Sequence, residues 1–287
     1  MNGIPLPGAL GVRAREILAG QIEPVPARDA ATVVLLRPNG PVPADPPSGA
    51  AGVEVYMLRR AASMAFAAGA YVFPGGSVDP RDADQDVAWA GPPPEIWGRV
   101  FGADATTARG LVCAAVRETF EESGVLLAGP SPETVVADTT GDDWEADREG
   151  LIERRLSLAE FLHKRALVLR ADLLRPWAHW ITPDVEHKRF DTRFFVAAMP
   201  PGQRTRDVGG EADEVAWLRP AQAIERAENG EILLMPPTFR TLTELSQYDD
   251  VGAVLACERE IVTFKPHAAE VDGEMWLVIP DEDYRLP

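Results

Sequence analysis

Residues 117–125, with the sequence RETFEESGV, constrain the fold more than any other segment. At about 100° per residue, Glu118 and Glu122 lie about 40° apart on a helix, and Glu121 lies about 60° to the other side of Glu118. Gly124 is a natural helix terminator. The opposite face is apolar and consists of Val112, Cys113, Val116 and Phe120. The segment therefore predicts a helix that buries one face and presents three carboxylates on the other.

Three carboxylates this close together predict a bound cation. Like charges four residues apart destabilise a helix, and neighbouring carboxylates cannot all stay ionised at low cost. Oxygen-only ligands suit Mg²⁺ or Mn²⁺. Arg117 precedes Glu121 by four residues and is within reach of a charged hydrogen bond to it. The alternative is a solvated acidic face, which is the usual setting of paired glutamates on helices.

The same nine residues resemble the second half of the signature of the Nudix hydrolases. That signature runs Gly, five residues, Glu, seven residues, then Arg-Glu-apolar-any-Glu-Glu-any-Gly-apolar, and here Thr119 stands at the first apolar position. Its first half resembles the segment that begins at Gly76, in which Asp82 replaces the Glu. Residues 83–116, 34 in number, then stand where the family usually has seven. An insertion therefore splits the signature, and surface loops tolerate insertions at small entropic cost.

A split signature is similar to one branch of the superfamily, the proteins resembling mammalian nucleoside diphosphate-linked moiety X motif 19. The similarity spans roughly residues 28–287 and is carried outside the signature by residues 58–76, 177–183, 188–195, 211–218 and 236–238. That branch is associated with hydrolysis of coenzyme A and its thioesters. Many coenzyme A hydrolases of the superfamily have an arginine four residues before the glycine that aligns with Gly69, whereas this chain has Ala65 there. Other nucleotide substrates therefore stay open.

The resemblance implies a metal site and the residues that hold the ion. Glu118, Glu121 and Glu122 are implied as ligands of Mg²⁺ or Mn²⁺, and a backbone carbonyl of Gly75 or Gly76 is implied in the same shell. Glycine allows the backbone to approach closely where a side chain would collide.

The resemblance also implies catalytic roles for Glu121, Glu122 and Arg117, together with a general base. The family often draws this base from a loop before a late tryptophan-containing strand. Glu211 is the better candidate in that loop, Glu214 is the second, and a glutamate of the signature is the third. Ordinary loop acidity is the alternative for Glu211 and Glu214.

Four further residues are candidates for substrate binding: Arg60, Phe73, Arg189 and Arg193. Guanidinium groups match the geometry of phosphate oxygens, although a surface or salt-bridge role is the alternative for each arginine. His179 and His187 are expected to be hydrogen-bonded structural residues, because a lone histidine more often has that role.

The implied reaction is attack by water on the diphosphate linkage of coenzyme A or acyl-CoA. Its products are 3',5'-ADP and (acyl-)4'-phosphopantetheine, and the divalent cation neutralises charge and activates the water. A second reading is a Nudix hydrolase of another nucleoside diphosphate derivative, such as ADP-ribose, NADH or a dinucleoside polyphosphate. A third is a catalytically silent regulator that binds a nucleotide, for which Asp82 and the split signature leave room.

The amino-acid composition limits the classes of partner that the chain is expected to bind. The chain has 28 basic and 45 acidic residues, and the net charge of −17 argues against a nucleic-acid surface. Cys113 and Cys257 are expected to be free thiols in a reducing compartment. The sequence has neither the pattern of a secretory signal nor the roughly 18 apolar residues that span a bilayer. We therefore expect a cytoplasmic protein without a membrane partner, and a homodimer stays open.

Alternating strand and helix patterns predict an α/β (α+β) fold, a Nudix-type α/β/α sandwich with a mixed central sheet. Strands are expected at residues 31–37, 53–59, 71–73, 125–127, 194–198 and 215–218, and helices at 144–170, 220–228 and 238–248. Residues 261–264 and 275–279 are expected to pair around Asp272 and Gly273. We expect an N-terminal extension at 1–28 and a single domain at 29–287. Within that domain we expect an insertion at about 83–105, as a loop over one edge of the active site, and a C-terminal elaboration.

Overall fold

A mixed sheet forms the centre of the protein, and two smaller sheets lie beside it. The structure is a computed structural model that describes residues 3–40, 52–61, 67–206 and 212–279. Numbered along the chain, the strands are β1 (Gly3–Pro5), β2 (Arg28–Pro38), β3 (Val53–Arg60), β4 (Ala70–Val72), β5 (Gly75–Ser77), β6 (Trp89–Ala90), β7 (Ala128–Gly129), β8 (Val168–Arg170), β9 (Arg175–Ile181), β10 (Phe190–Ala198), β11 (Ala212–Leu218), β12 (Leu233–Leu234), β13 (Thr263–Phe264), β14 (His267–Val271) and β15 (Glu274–Val278).

Helices cover both faces of the central sheet. They are α1 (Gly8–Leu18), α2 (Pro94–Phe101), α3 (Ala105–Ser123), α4 (Asp142–Ile152), α5 (Leu158–Lys164), α6 (Pro220–Glu228), α7 (Pro236–Leu245) and α8 (Val251–Ala256). Short 3-10 helices span Pro80–Ala83 and Ala171–Leu173.

The central sheet has the strand order β12-β4-β3-β2-β10-β9-β13, with β11 also paired to β3 and β5 to β2. β2 and β10 are parallel neighbours, whereas β2 pairs antiparallel with β3 and with β5. β3 meets β2 at Leu36, and β5 meets β2 at Ala30 and Thr32. One edge of β2 therefore changes partner along its length, which brings the glycine-rich strand β5 into the sheet.

The two faces of β2 belong to two separate hydrophobic clusters. Ala31, Val33 and Leu35 pack with the apolar residues of α3, and Val34 and Leu36 pack with those of α7 and α8. This alternation follows from the period of two in a strand. The mixed sheet with helices on both faces confirms the predicted fold class.

Helix α3 contains the apolar face that the sequence predicts. Val112, Cys113, Val116 and Phe120 are all fully buried. The helix begins after Asp104, whose side chain accepts a hydrogen bond from the amide of Thr107 at 2.9 Å. It ends at Gly124, which has the left-handed φ of 73° expected of a terminating glycine.

The single helix predicted for residues 144–170 is wrong. The structure has α4, then α5, then the strand β8 in this segment. Arg154 between the helices has a left-handed φ of 57° that breaks the first one. Ser157 begins the second one, because its hydroxyl accepts from the Glu160 amide at 3.2 Å and the Glu160 carboxylate accepts from the Ser157 amide at 2.7 Å.

Two further strand predictions need correction. Residues 125–127 are buried but form no strand, and the short strand β7 follows them. Asp272 and Gly273 do form the turn of a hairpin, but the paired strands are β14 and β15. Residues 261–264 contribute β13, which pairs in parallel with β9. The predicted helix at residues 220–228 is confirmed as α6.

The insertion is not a loop over the active site. It contains β6 and α2, and β6 pairs with β8 in a small three-stranded sheet. Trp97 of α2 is buried with its ring centroid 5.6 Å from that of Phe195, on the sheet face that α3 covers. Its aromatic residues therefore direct this segment into the core. The division into an extension at 1–28 and one domain at 29–287 stays a prediction.

The two ends of the described chain meet in a separate small sheet. β1 pairs with β15, and β15 pairs with β14. Within the described residues, no helix is long and apolar enough to cross a membrane. Cys113 is buried, Cys257 is partly exposed, and both are free thiols, as expected.

Candidate functional site

The two halves of the split signature meet at an ion pair between Arg117 and Asp82. Arg117 Nη2 lies 2.9 Å from Asp82 Oδ2, and Arg117 Nε donates to Asp82 Oδ1 at 3.0 Å. Arg117 Nη2 also donates to the backbone carbonyl of Ser77 at 3.0 Å. The side chain of Asp82 is only 2% exposed. The insertion therefore leaves the carboxylate helix and the glycine turn in direct contact.

A 3-10 helix holds Asp82 in place. Asp79 precedes this helix, and its amide donates to Asp82 Oδ2 at 2.8 Å, while its own carboxylate accepts from the amide of Arg81 at 2.9 Å. The hydrogen bonds from Arg81 lower the pKa of Asp79 to about 2 against the opposing effect of burial. The shorter acid at position 82 is thus fixed by the backbone that carries it.

The three carboxylates of α3 have protein partners instead of forming one solvated strip. Arg117 Nη1 donates to Glu118 at 2.8 Å and to Glu121 at 3.1 Å. Glu122 Oε2 accepts from the amide of Gly75 at 2.8 Å. The side chains of Glu118 and Glu121 are 13% and 10% exposed. The alternative of a solvated acidic face therefore does not describe this helix.

Burial makes these carboxylates hard to ionise. Desolvation, together with the charges of Glu121 and Asp82, raises the pKa of Glu118 to about 7 against the opposing effect of Arg117. Desolvation also raises the pKa of Glu121. Burial by itself lowers the pKa of Arg117, but the hydrogen bond to Asp82 and the nearby carboxylates outweigh it and raise that pKa. One guanidinium thus faces three acids, which leaves a surplus of negative charge.

The two glycines of β5 are required by close approach. A Cβ at Gly76 would lie 2.5 Å from Glu118 Oε1, and a Cβ at Gly75 would lie 2.5 Å from the carbonyl of Ala31. Contacts this short do not occur between real atoms, so any side chain here would displace the carboxylate or the strand. The Gly75-Gly76 pair therefore cradles the carboxylates of α3.

The donor set fits a divalent cation with oxygen ligands. Glu118 and Glu122 supply carboxylate oxygens beside the backbone of β5, and Glu121 shares the Arg117 guanidinium with Glu118. In the described ranges, no group of three or more His, Cys, Asp or Glu side chains is arranged to hold a metal ion by itself. That arrangement suits an ion that keeps several waters and uses few carboxylates together with substrate phosphates.

A cavity of about 750 Å³ opens beside the carboxylates, within the range typical of small-molecule sites. Eight of the predicted site residues line it: Arg60, Phe73, Gly75, Gly76, Arg117, Glu118, Glu121 and Glu122. Four cationic side chains besides Arg117 also line it: Arg60, Arg81, Arg154 and Lys188. The cavity therefore combines an acidic end with scattered positive charge in a chain of strongly negative net charge.

The geometry does not favour a substrate role for Arg189 or Arg193. Arg189 donates to the carbonyls of Thr182 and Val25, at 3.1 and 2.6 Å, and Arg193 Nη1 lies 2.6 Å from Asp29. Neither side chain is among the described residues that line the cavity. Both guanidinium groups tie strands and loops together, and their binding to substrate stays a prediction.

The structure does not decide between the candidates for the general base, because Glu211 lies outside the described residues. Ala65, the position compared with the arginine of coenzyme A hydrolases, also lies outside them. Glu214 lies 3.1 Å from the guanidinium of Arg59, on a part-exposed ion pair. His179 contacts Asp191 and Thr263 inside the sheet, in agreement with its expected structural role.

Among the cavity residues that sequence reasoning missed are four with charged or aromatic side chains: Arg81, Arg154, Trp180 and Lys188. A signal existed for two of them. Arg81 adjoins Asp82 in the first half of the signature, and Lys188 adjoins Arg189, the residue predicted to bind substrate. Arg154 and Trp180 enter the cavity only through the left-handed turn after α4 and the pairing of β9 with β10.

A family model and the related proteins point to the same protein family. Residues 104–245 match the family model described as the NUDT19 Nudix domain. The chain is 28% identical over 309 residues to the acyl-coenzyme A diphosphatase NUDT19 of Gallus gallus, which covers 90% of this chain and 79% of that protein. It is 28% identical over 276 residues to the protein of the same name from Homo sapiens, with 80% and 72% covered.

The fold also has a counterpart among solved structures. A crystal structure of a Nudix hydrolase from Alicyclobacillus acidocaldarius superposes with a TM-score of 0.66 and 25% sequence identity. The superposition covers 82% of this chain and 98% of that chain.

Proposed function

Because this chain belongs to the NUDT19-like branch of the Nudix hydrolase superfamily, we propose that it is a metal-dependent diphosphatase of coenzyme A or acyl-CoA. Water attacks at phosphorus and breaks the diphosphate linkage, which yields 3',5'-ADP and (acyl-)4'-phosphopantetheine. The related proteins from Gallus gallus and Homo sapiens carry the name acyl-coenzyme A diphosphatase.

The observation that carries this proposal is the contact between the halves of the divided signature. Arg117 bonds Asp82 across the insertion and, with the same guanidinium, Glu118 and Glu121. A silent relative has no need to keep three acids crowded in a buried cluster, because such crowding destabilises the fold without a cation.

The residues that would hold the cation are Glu118, Glu121 and Glu122, with the backbone of Gly75 or Gly76 completing the shell. Oxygen donors select Mg²⁺ or Mn²⁺. When bound, such an ion neutralises phosphate charge and makes water more acidic. Arg117 orients Glu118 and Glu121 through its two Nη1 hydrogen bonds.

Two roles remain, those of the general base and of the side chains that bind the substrate phosphates. Glu211 accepts the proton of the attacking water in this proposal, and Glu214 is the second candidate. Arg60 and Arg81 line the cavity and pair with substrate phosphates, because guanidinium groups bind phosphate oxygens in this way.

The test is a mass-resolved assay of the purified protein with coenzyme A, acyl thioesters, ADP-ribose and NADH, each with Mg²⁺ or Mn²⁺. We expect 3',5'-ADP from coenzyme A compounds, and no such product when the metal is chelated. Preferred cleavage of ADP-ribose or NADH would move the protein to another substrate class. Absence of cleavage of every compound with both cations would overturn the proposal that it is an enzyme.

A further inference from the structure

The cavity continues beyond the carboxylates into a mostly apolar region. We call this region the distal lobe and define it by six lining residues: Ile4, Trp180, Phe190, Pro266, Leu277 and Ile279. Cleavage of a diphosphate makes no use of such a surface. Such a surface suits an apolar part of a substrate better than its phosphates.

A row of neighbouring residues joins the carboxylates to the distal lobe. Ser77 lies opposite Ala30, Ala30 lies opposite Thr192, and Thr192 lies opposite Trp180 in the sheet. The carbonyl of Ser77 accepts a hydrogen bond from Arg117, so the row begins at the ion pair. Three steps between strands span about 14 Å. All four residues of the row line the cavity.

The side chains of this row change from small to large. Serine, alanine and threonine leave an open floor with two hydroxyl groups, and Trp180 then closes the row. The rings of Trp180 and Phe264 pack with their centroids 4.1 Å apart, which restrains the indole. An extended arm can therefore cross the floor and reach a rigid apolar wall.

The far wall is built from the two ends of the described chain. Ile4 of β1 lies opposite Leu277 of β15. Arg13 in the following helix donates to the carbonyl of Val185 at 3.0 Å, which fixes this small sheet against the loop after β9. Ile4, Leu277 and Ile279 all lie outside residues 104–245 that match the family.

Two of the cavity cations lie at the opposite end, which favours that end for the nucleotide, whereas Lys188 lies beside the lobe with its ammonium 5.3 Å from the ring centroid of Phe190. Arg81 Nη1 donates to the carbonyl of Arg154 at 3.2 Å, and both residues line the cavity. Arg81 belongs to the 3-10 helix that packs against α3 and α5, beside the carboxylates. Phosphate groups are attracted to these cations, whereas the aliphatic members of the distal lobe offer no polar side-chain atoms.

We propose that the distal lobe binds the acyl chain of a thioester substrate and that Ile4 and Leu277 set the chain length that is accepted. This inference rests on the proposed function, because the diphosphate must lie at the carboxylates for the thioester end to reach the lobe. The pantetheine arm crosses the floor between Ser77 and Thr192. The hydrocarbon chain then lies against Trp180 and the sheet formed by the two chain ends.

The experiment measures kcat/KM with Mg²⁺ for free coenzyme A and for its acetyl, hexanoyl, decanoyl and palmitoyl thioesters. In the wild-type protein, kcat/KM rises with chain length by up to about fourfold for each methylene that is buried, until the lobe is full. In Leu277→Trp, the added ring fills the lobe. The ratio of kcat/KM for decanoyl-CoA to that for free coenzyme A then falls by about tenfold or more, the loss of two buried methylenes.

Ile4→Trp is a second variant at a more exposed position, for the case in which Leu277→Trp does not fold. The matched control is Val12→Trp, on the exposed surface of α1 and outside the cavity lining. This control should keep the wild-type ratio within about twofold, as surface substitutions usually do. Both lobe variants should lower the ratio, and the control should not.

Two outcomes overturn this inference and can be told apart. If coenzyme A compounds are cleaved at rates independent of chain length, or if both lobe variants keep the wild-type ratio, the distal lobe is not an acyl site although the proposed function stands. If neither coenzyme A nor any thioester is cleaved, the proposed function itself has failed, and the inference fails with it.

Discussion

Two buried arginines, Arg117 and Arg193, lie in networks that look alike and differ in charge balance. Arg117 contacts three carboxylates beside the cavity, whereas Arg193 contacts Asp29 and Asp191 within the sheet. In the second network Asp191 also contacts His179, whose other ring nitrogen contacts Thr263. The first network has three acids to one guanidinium beside an open cavity, whereas the second has two acids to one guanidinium and does not line that cavity.

This difference distinguishes a ligand-binding site from an ion-pair network that only stabilises the fold. A buried surplus of like charge destabilises the fold unless something else binds there, so its presence beside a cavity points to a ligand. In the second network the charge of Asp191 is compensated within the sheet by Arg193 and His179, although Arg193 Nε is buried without a hydrogen-bond partner. Arginine alone therefore does not identify a phosphate site, and the partners of its guanidinium decide between the two roles.

The largest expected effect comes from removing a carboxylate of the proposed metal site, either Glu121 of the first network or Glu122 beside it. Glu121→Gln and Glu122→Gln should each lower kcat of the proposed reaction by about 100-fold or more, because metal activation supplies much of the rate. The melting temperature without metal should not fall, since one acid of a crowded cluster is neutralised. Steady-state kinetics and thermal unfolding check the two statements. Wild-type activity in both variants would remove these residues from the metal site.

The second network should respond in the opposite manner. Arg193→Met should reduce the free energy of unfolding by about 2 kcal/mol, because it leaves Asp29 and Asp191 without their cation, partly relieved by solvent. Denaturant unfolding measures this loss. kcat/KM per folded molecule should stay near the wild-type value. A selective rise in KM with unchanged stability would instead restore the substrate role that the sequence predicted for Arg193.

The sequence was sufficient for the parts of the fold that local chemistry determines. The apolar period and Gly124 predicted α3, and Pro220 with Gly230 predicted α6. Partners of strands were harder, since a period of two does not say which strand lies alongside. The turn at Asp272 and Gly273 was therefore found, although one of its strands was wrong.

The same limit applies at the candidate site. The parallel pairing of β10 with β2 places Asp191 opposite Asp29, and this contact between distant segments closes the network around Arg193. Likewise, the spacing of the signature located Asp82 but not its bond to Arg117, which depends on how the insertion folds back. Residue roles that depend on contacts between distant segments therefore could not be predicted from local sequence patterns.

The smallest expected effect tests whether the turn at Asp79 helps to hold Asp82 in the first network. Asp79→Asn keeps an acceptor for the Arg81 amide but loses the ion pair with the Arg81 guanidinium, which weakens the turn that holds Asp82 and should cost up to about 1 kcal/mol. The pKa of Asp79 lies near 2, below its ordinary 3.8, so the carboxylate stabilises the folded protein above pH 3.8 and this contribution is lost as pH falls towards 2.

The difference in unfolding free energy between wild type and Asp79→Asn should therefore shrink between pH 4 and pH 2, as measured by denaturant titration at each pH. Asp104→Asn is the matched control, because Asp104 caps the far end of α3 and does not line the cavity. Both substitutions keep a capping side chain and should lower stability only modestly, but only Asp79→Asn should also lower kcat, through a less fixed Asp82 and Arg117. Equal kcat in the two variants would show that the cap supports the fold alone, and the ion pair would then hold its geometry through Ser77 and α3 without help from the turn.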